Sequence, residues 1–207
     1  DLLVCAGENN LPVQVLGSGT NTVGTDSEPA RIAVVLDAGE YTAIERRHTR
    51  VRAGAGVGLP TLFRTLLEDG RLSKENAGLV WIPGTVGGAV RMNAGAHGAA
   101  IGDLVETVDG IRRNGRPWSA AGSDLSWGYR CCSIPADVVI TAVTLLAAPA
   151  RDPDAARAEA RRTGDWRRRR QPHGRSAGSF FRNAGTAAAG ALLERCGCRG
   201  LQAGNAQ

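Results

Sequence analysis

Aromatic side chains are scarce in this chain, 4% of its 207 residues, so a core must be built mainly from Val, Leu, Ile and Ala around isolated Trp81, Trp118, Trp127 and Trp166. Hydrophobic residues still reach 43%, ordinary for a globular protein of one large or two modest domains. Long apolar runs are missing as well. No stretch approaches the ~20 residues of a membrane-spanning helix, and no basic segment leads into an apolar one, so a soluble, cytoplasmic protein with no membrane partner is expected. Cysteine is sparse and oddly spaced: Cys5, Cys131, Cys132, Cys196 and Cys198 lack the two-residue gap of zinc and redox motifs, and His48, His97 and His173 are scattered. Reduced thiols and no metal site are the expectation.

Charge of one sign is concentrated rather than spread. The net charge is +5, and Arg161, Arg162, Arg167, Arg168, Arg169 and Arg170 fall within ten residues. This segment reads either as a solvated helix face or as a site for an anionic ligand. Nucleic acid is not expected, because Trp166 is the only stacking side chain nearby and no second basic face exists to track a backbone.

What the chain has in abundance is glycine. Residues 1–9 read as the end of a helix, and PVQVL at 12–16 as a short buried strand running into a GSGTN turn. Strands are expected at 32–37, 49–53 and 138–146, and a hairpin at 105–119 around Asn114-Gly115. Leu59, Leu62, Phe63, Leu66 and Leu67 recur at helical spacing behind Pro60 and stop at Gly70, predicting a helix with one apolar face. Asp152-Pro153 opens an Ala/Arg-rich helix, expected to be interrupted at Gly164, after a domain boundary near residue 150. A last helix is expected at 187–196.

Two glycine segments ask what must approach the backbone so closely. In WIPGTVGGAVRMNAGAHG, residues 81–98, glycine density gains little for a packed core, since each glycine costs roughly 0.5–1 kcal/mol against alanine in regular structure. The segment GSGTNTVGTD, 17–26, follows a strand but fits neither standard phosphate motif. Thr22 stands where the dinucleotide fingerprint needs glycine, and Gly24 lacks the lysine of a P-loop. What survives is a turn rich in N–H groups and short polar side chains, either ordinary turn chemistry or a cradle for phosphate. Two such loops can hold opposite ends of one extended cofactor.

In order along the chain, GSGTNTVGTD, AGAGV, IPGTVGGAVRMNAGAHGAAIGD, WGYR, QPHGRSAGSFFRN and GLQAGNAQ resemble landmarks of the UDP-N-acetylenolpyruvoylglucosamine reductase (MurB) family. The most specific pieces are IPGTVGGAVRMNAGA and SAGSFFRN. The resemblance implies an α+β fold: an FAD-binding domain of two α+β subdomains, of the vanillyl-alcohol oxidase type, at 1–150, and a partial substrate-binding domain at 151–207. It also implies that Gly17, Ser18, Gly19, Thr20, Asn21 and Thr22 take the FAD pyrophosphate. Pro83, Gly84, Thr85, Val86, Gly87, Gly88, Asn93 and Gly95 would wrap the flavin and its linker.

The reaction implied is the NADPH-dependent reduction of UDP-N-acetylglucosamine enolpyruvate to UDP-N-acetylmuramate in peptidoglycan precursor synthesis. Hydride passes from NADPH to the flavin and then to the vinyl carbon. Carbanion character next to a carboxylate then needs a preorganised cation, for which Arg130 in WGYR matches. Ser179 matches the serine that quenches the carbanion; a hydroxyl is a poor acid and serves only against a strongly basic acceptor. Arg170 and Asn183 match substrate contacts, the arginine meeting the diphosphate. Tyr129 either packs or lines the substrate pocket. A monomer with a UDP-sugar as its small-molecule partner is expected.

The chain also departs from the family pattern. It enters midway through the first helix, without the preceding strand, and it stops before a family glutamate that completes the catalytic group. The expectation is therefore a fragment of a longer product, or a chain slow in the second half-reaction and prone to aggregate. Another FAD oxidase or dehydrogenase of this fold, or an inactive flavin-binding remnant, are the alternatives.

Overall fold

The chain enters through a short helix, α1 (Leu2–Glu8), and two strands, β1 (Val13–Leu16) and β2 (Ile32–Val35). These pair in parallel, Val13 against Ile32 through Leu16 against Val35. The structure is a computed structural model and describes residues 2–24, 31–171, 181–183 and 187–201. Within it the chain forms two compact units, Asp1–Pro172 and His173–Gln207.

After the parallel pair come β3 (Ile44–Arg47), β4 (Arg50–Gly54) and α2 (Leu59–Glu68). The predicted apolar face of α2 is realised: Leu59, Leu62, Phe63 and Leu66 are fully buried. The helix stops at Gly70 (φ +65) because Arg71 N–H bonds to Leu66 O and Gly70 N–H to Leu67 O, closing the end with a left-handed residue.

The glycine segment contributes α3 (Val86–Arg91) and a tight hairpin of β5 (Gly95–Ala96) and β6 (Ala99–Ala100). Then follow β7 (Val105–Arg112), β8 (Pro117–Ala121), a second small hairpin of β9 (Trp127–Gly128) and β10 (Cys131–Cys132), and β11 (Val138–Leu146). The main sheet is wholly antiparallel in the order β3-β4-β11-β7-β8. The most strand-like run in the sequence, β11, is its central strand, buried at Val138, Ile140, Val143 and Leu145. The register slips between Ile140 and Ala142, which switches the phase of the buried positions. The hairpin at Asn114-Gly115 forms, with Gly115 at φ +80 and its N–H bonded to Arg112 O.

One long helix, α4 (Pro153–Arg170), completes the first unit. Asp152 caps it as expected, its carboxylate accepting from Ala155 N–H at 2.8 Å. The expected interruption at Gly164 does not occur. Gly164 is buried inside a continuous helix, where a Cβ would stand 2.6 Å from the Trp81 ring, so the glycine makes room for an indole and breaks nothing. Because α4 packs on Trp81, it lies within the first unit, and compactness divides the chain at 172/173, whereas the boundary expected near residue 150 followed the change in composition.

The second unit is described over 181–183 and 187–201. It holds α5 (Ala189–Arg195), whose first amide, Ala189 N–H, donates to Asn183 Oδ1 at 3.0 Å. Gly197 (φ +71) ends the helix with the same left-handed closure seen at Gly70. Among the described residues no helix is long and apolar enough to cross a membrane.

Candidate functional site

A cavity of about 570 Å³ opens between β1, the turn that follows it, the start of α3 and the start of β11. This is within the range of cofactor sites. Gly17, Ser18, Thr85, Gly87 and Gly88, all expected site residues, line it. The two glycine segments meet at one wall of the cavity. They touch, because a Cβ on Gly17 would lie 2.8 Å from Thr85 Oγ1 and one on Gly84 would lie 3.2 Å from Thr20 Oγ1.

Much of the glycine density serves protein-to-protein approach, against the expectation that a packed core gains little from it. A Cβ on Gly87 would meet Ala55 Cβ at 2.9 Å, and one on Gly95 would meet Ala99 O at 2.6 Å. The amides of the second segment are also committed: Val86 N–H donates to Val57 O, Gly87 N–H to Ala55 O and Gly88 N–H to Thr85 Oγ1. In the first segment the N–H groups of Ser18, Gly19, Thr20 and Asn21 have no protein acceptor among the described residues, and the only bond in that turn is Thr22 N–H to Gly19 O. Among the described residues, the donors left for a phosphate therefore belong to 18–21.

Two cations at the cavity escaped the sequence reading. Arg91, half-buried at the end of α3, donates to Ile134 O at 2.8 Å, Pro135 O at 3.2 Å and Val138 O at 2.5 Å, and burial pushes its pKa down. Arg113 donates to Val13 O at 3.3 Å. A lone cation inside a glycine-rich run was the available signal for Arg91. Arg113 carried none, since only the fold brings it to β1.

Arg130 sits in the two-residue turn between β9 and β10 at φ +59, a left-handed conformation that a side chain disfavours. Its Nη1 donates to Gly95 O at 3.5 Å, and its guanidinium lies 5.2 Å from the ring of Tyr129, itself well exposed. Asn93, at φ +40, donates from Nδ2 to Gly128 O at 3.0 Å and accepts at Oδ1 from Gly102 N–H at 3.1 Å. The fold thus brings together Asn93, Gly95 and Arg130, three expected site residues from two separate motifs.

Other expected residues lie elsewhere. Pro83, Gly19, Asn21 and Thr22 are exposed and do not line the cavity, and Val86 is buried in the core. Arg170, at the end of α4, stacks over Trp166 at 5.3 Å, and Trp166 meets His97 edge-on at the β5–β6 turn. Arg162 and Arg168 pair with Glu159 and Asp165 on the same helix. Arg167 is half-buried, and burial lowers its pKa. Asn183 spends its side-chain oxygen on α5. Ser179 lies outside the described residues.

Comparison with known proteins gives the same picture. Residues 1–121 match the family model for an FAD binding domain, and residues 170–207 that for the C-terminal domain of UDP-N-acetylenolpyruvoylglucosamine reductase. The chain is 35% identical over 207 residues to the UDP-N-acetylenolpyruvoylglucosamine reductase of Trichlorobacter lovleyi, a match covering 100% of the chain and 67% of that protein. It resembles the crystal structure of the enzyme of that name (MurB) from Thermus caldophilus at 29% identity and TM-score 0.81, covering 97% of this chain and 72% of that one. A VAO-type flavoprotein from Myceliophthora thermophila shares the fold at 15% identity and TM-score 0.50, covering 70% of this chain and 28% of that one. The expected α+β class and vanillyl-alcohol oxidase type of FAD-binding fold are thereby established. Across the first curated relatives it matches, the chain spans about 65% of their length.

Proposed function

Because the chain belongs to the UDP-N-acetylenolpyruvoylglucosamine reductase family, we propose that it is an FAD-dependent, NADPH-consuming reductase of the enolpyruvyl ether of a UDP-sugar. The product is UDP-N-acetylmuramate, made in the cytoplasm for cell-wall growth, shape and division by a monomeric enzyme. The observation that carries the reading is the approach of Arg130 to Gly95 O, which brings a cation to the glycine segment that would enclose the flavin.

The residues present fit FAD. The cavity combines apolar strand walls with a turn whose amides, Ser18 to Asn21, have no acceptor among the described residues and suit a pyrophosphate. Bound FAD supplies the hydride-transfer chemistry. The segment 83–95 encloses it, shaped by its bonds to Val57 O and Ala55 O. Arg130 stabilises the negative charge that develops beside the substrate carboxylate, and Ser179 delivers the proton to the adjoining carbon. Arg170, Asn183 and Tyr129 are the side chains assigned to the UDP-sugar.

An anaerobic absorbance titration tests this. FAD-loaded protein should bleach on adding NADPH and recover its band on adding UDP-N-acetylglucosamine enolpyruvate. Failure to hold FAD overturns the cofactor reading. Bleaching without recovery overturns the substrate reading for this chain.

A further inference from the structure

We propose that Asn93 is the positioning residue for Arg130, acting through the backbone of the turn that carries it. The proposal rests on the role of Arg130 given above. Both ends of the Asn93 amide are committed to main chain on two other elements: Oδ1 to Gly102 N–H and Nδ2 to Gly128 O. Each atom faces the partner it needs, carbonyl to N–H and amide to carbonyl, so a reversed amide would lose both bonds.

Glycine would satisfy φ +40 more easily than asparagine, so the backbone alone does not explain the residue. Its side chain spans from the end of α3 to the base of the Tyr129-Arg130 turn. Gly102 allows this, because a Cβ there would stand 2.6 Å from Trp127 Cδ2 and 2.8 Å from Asn93 Oδ1. Trp127 is fixed in turn by its own bond from Nε1 to Gly122 O at 2.9 Å.

The base of the hairpin is therefore clamped while its tip is not. Arg130 has one long bond, 3.5 Å to Gly95 O, and a strained backbone. A residue held in a disfavoured conformation persists only when its surroundings over-determine it. Asn93 supplies that constraint, and the direction of the guanidinium follows from the turn.

Two variants separate this from a general loss of fold. Asn93→Asp keeps the acceptor for Gly102 N–H but sets a carboxylate oxygen against Gly128 O; Asn93→Gly keeps the backbone conformation and removes the bridge. In FAD-free protein, amide hydrogen exchange should stay slow at Gly102 in N93D and rise in N93G, while Gly128 and Cys131, paired across the hairpin, exchange faster in both. In FAD-loaded protein, recovery of the flavin band by the enolpyruvyl substrate should slow roughly 10- to 100-fold, as for lost outer supports of reactive groups. Bleaching by NADPH is the internal comparison, and the proposal requires recovery to slow more than bleaching does. Unchanged exchange at Gly128 and Cys131 overturns the proposal, and so does equal slowing of both half-reactions. If wild-type protein never recovers its band, the functional reading of Arg130 fails while the exchange result still decides whether Asn93 holds the turn.

Discussion

Gly164 lies against the indole of Trp81, whose Nε1 donates to Ala160 O at 2.7 Å one turn earlier on the same helix. The contact joins residues far apart in the chain and fixes how α4 seats on the first unit. An alanine methyl at 164 would fall 2.6 Å from Trp81 Cζ2 and 2.8 Å from Cε2, rigid ring atoms held by that bond.

Gly164→Ala should therefore destabilise the first unit, although helix propensity alone predicts a gain of about 1 kcal/mol. Overpacking costs about 1–3 kcal/mol and wins. Gly190 in α5 has nothing within 4 Å of its hypothetical Cβ, so Gly190→Ala should stabilise its helix by up to about 1 kcal/mol. Denaturant midpoints moving in the same direction for both variants would refute the packing argument.

Gly56→Ala should be more severe. A Cβ at 56 would overlap the backbone carbonyl of Leu36 and come within 3.1 Å of Tyr41 O, and a main-chain carbonyl cannot rotate aside as a side chain does. The expected loss is about 3 kcal/mol or more. Since Gly56 also lines the cleft, FAD affinity should fall with stability in the same urea series.

Stability should also decline in acid through one cross-sheet pair. Arg50 meets Glu106 with two bonds of 2.5 Å, and those hydrogen bonds hold the Glu106 carboxyl below its ordinary range, opposed by its partial removal from water and aided by the opposite charge of Arg50. A carboxylate depressed in the folded state contributes stability above its unfolded pKa of roughly 4.3, and loses it as pH falls through the lower folded value. Glu106→Gln should flatten the stability profile in that window and leave it unchanged near neutrality apart from a constant offset. High salt should weaken the effect, because both groups are solvent-accessible. Urea midpoints measured against pH check both points.

Legibility followed the range of the interactions involved. The apolar face of α2, the central strand β11 and the cap at Asp152 rest on neighbours within one turn or one strand, and the sequence displays them directly. The helix α3 was hidden, because Gly87 and Gly88 depress helix propensity and only burial of Val86, Ala89 and Val90 with the Thr85 cap holds it. Strand β3, IERR, shows no alternation, as three of its four residues face solvent at a sheet edge. At the site, the glycines were visible as chemistry, and Arg130 only through the resemblance of WGYR to the family. What they press against was not: Ala55 beside Gly87, Thr85 beside Gly17 and Asn93 behind Arg130 are juxtapositions made by tertiary structure.

Arg130 offers the sharpest separation of function from fold. Its left-handed backbone costs about 1–2 kcal/mol relative to a relaxed residue, which Arg130→Gly would relieve, while glycine's extra freedom in the unfolded chain returns a similar amount. Thermal stability should accordingly stay close to that of the wild type. The rate at which the enolpyruvyl substrate restores the flavin band should fall by roughly 10²–10³, the usual effect of removing one preorganised group that stabilises developing charge. Arg130→Lys should sit between the two, keeping a positive charge but losing the planar fork that spans two acceptors. A glycine variant that melts normally and retains the full rate would reduce Arg130 to a turn residue, and the charge-stabilising role would have to pass to another cation of the first unit, with Arg91 and Arg113 at the cleft the first to test.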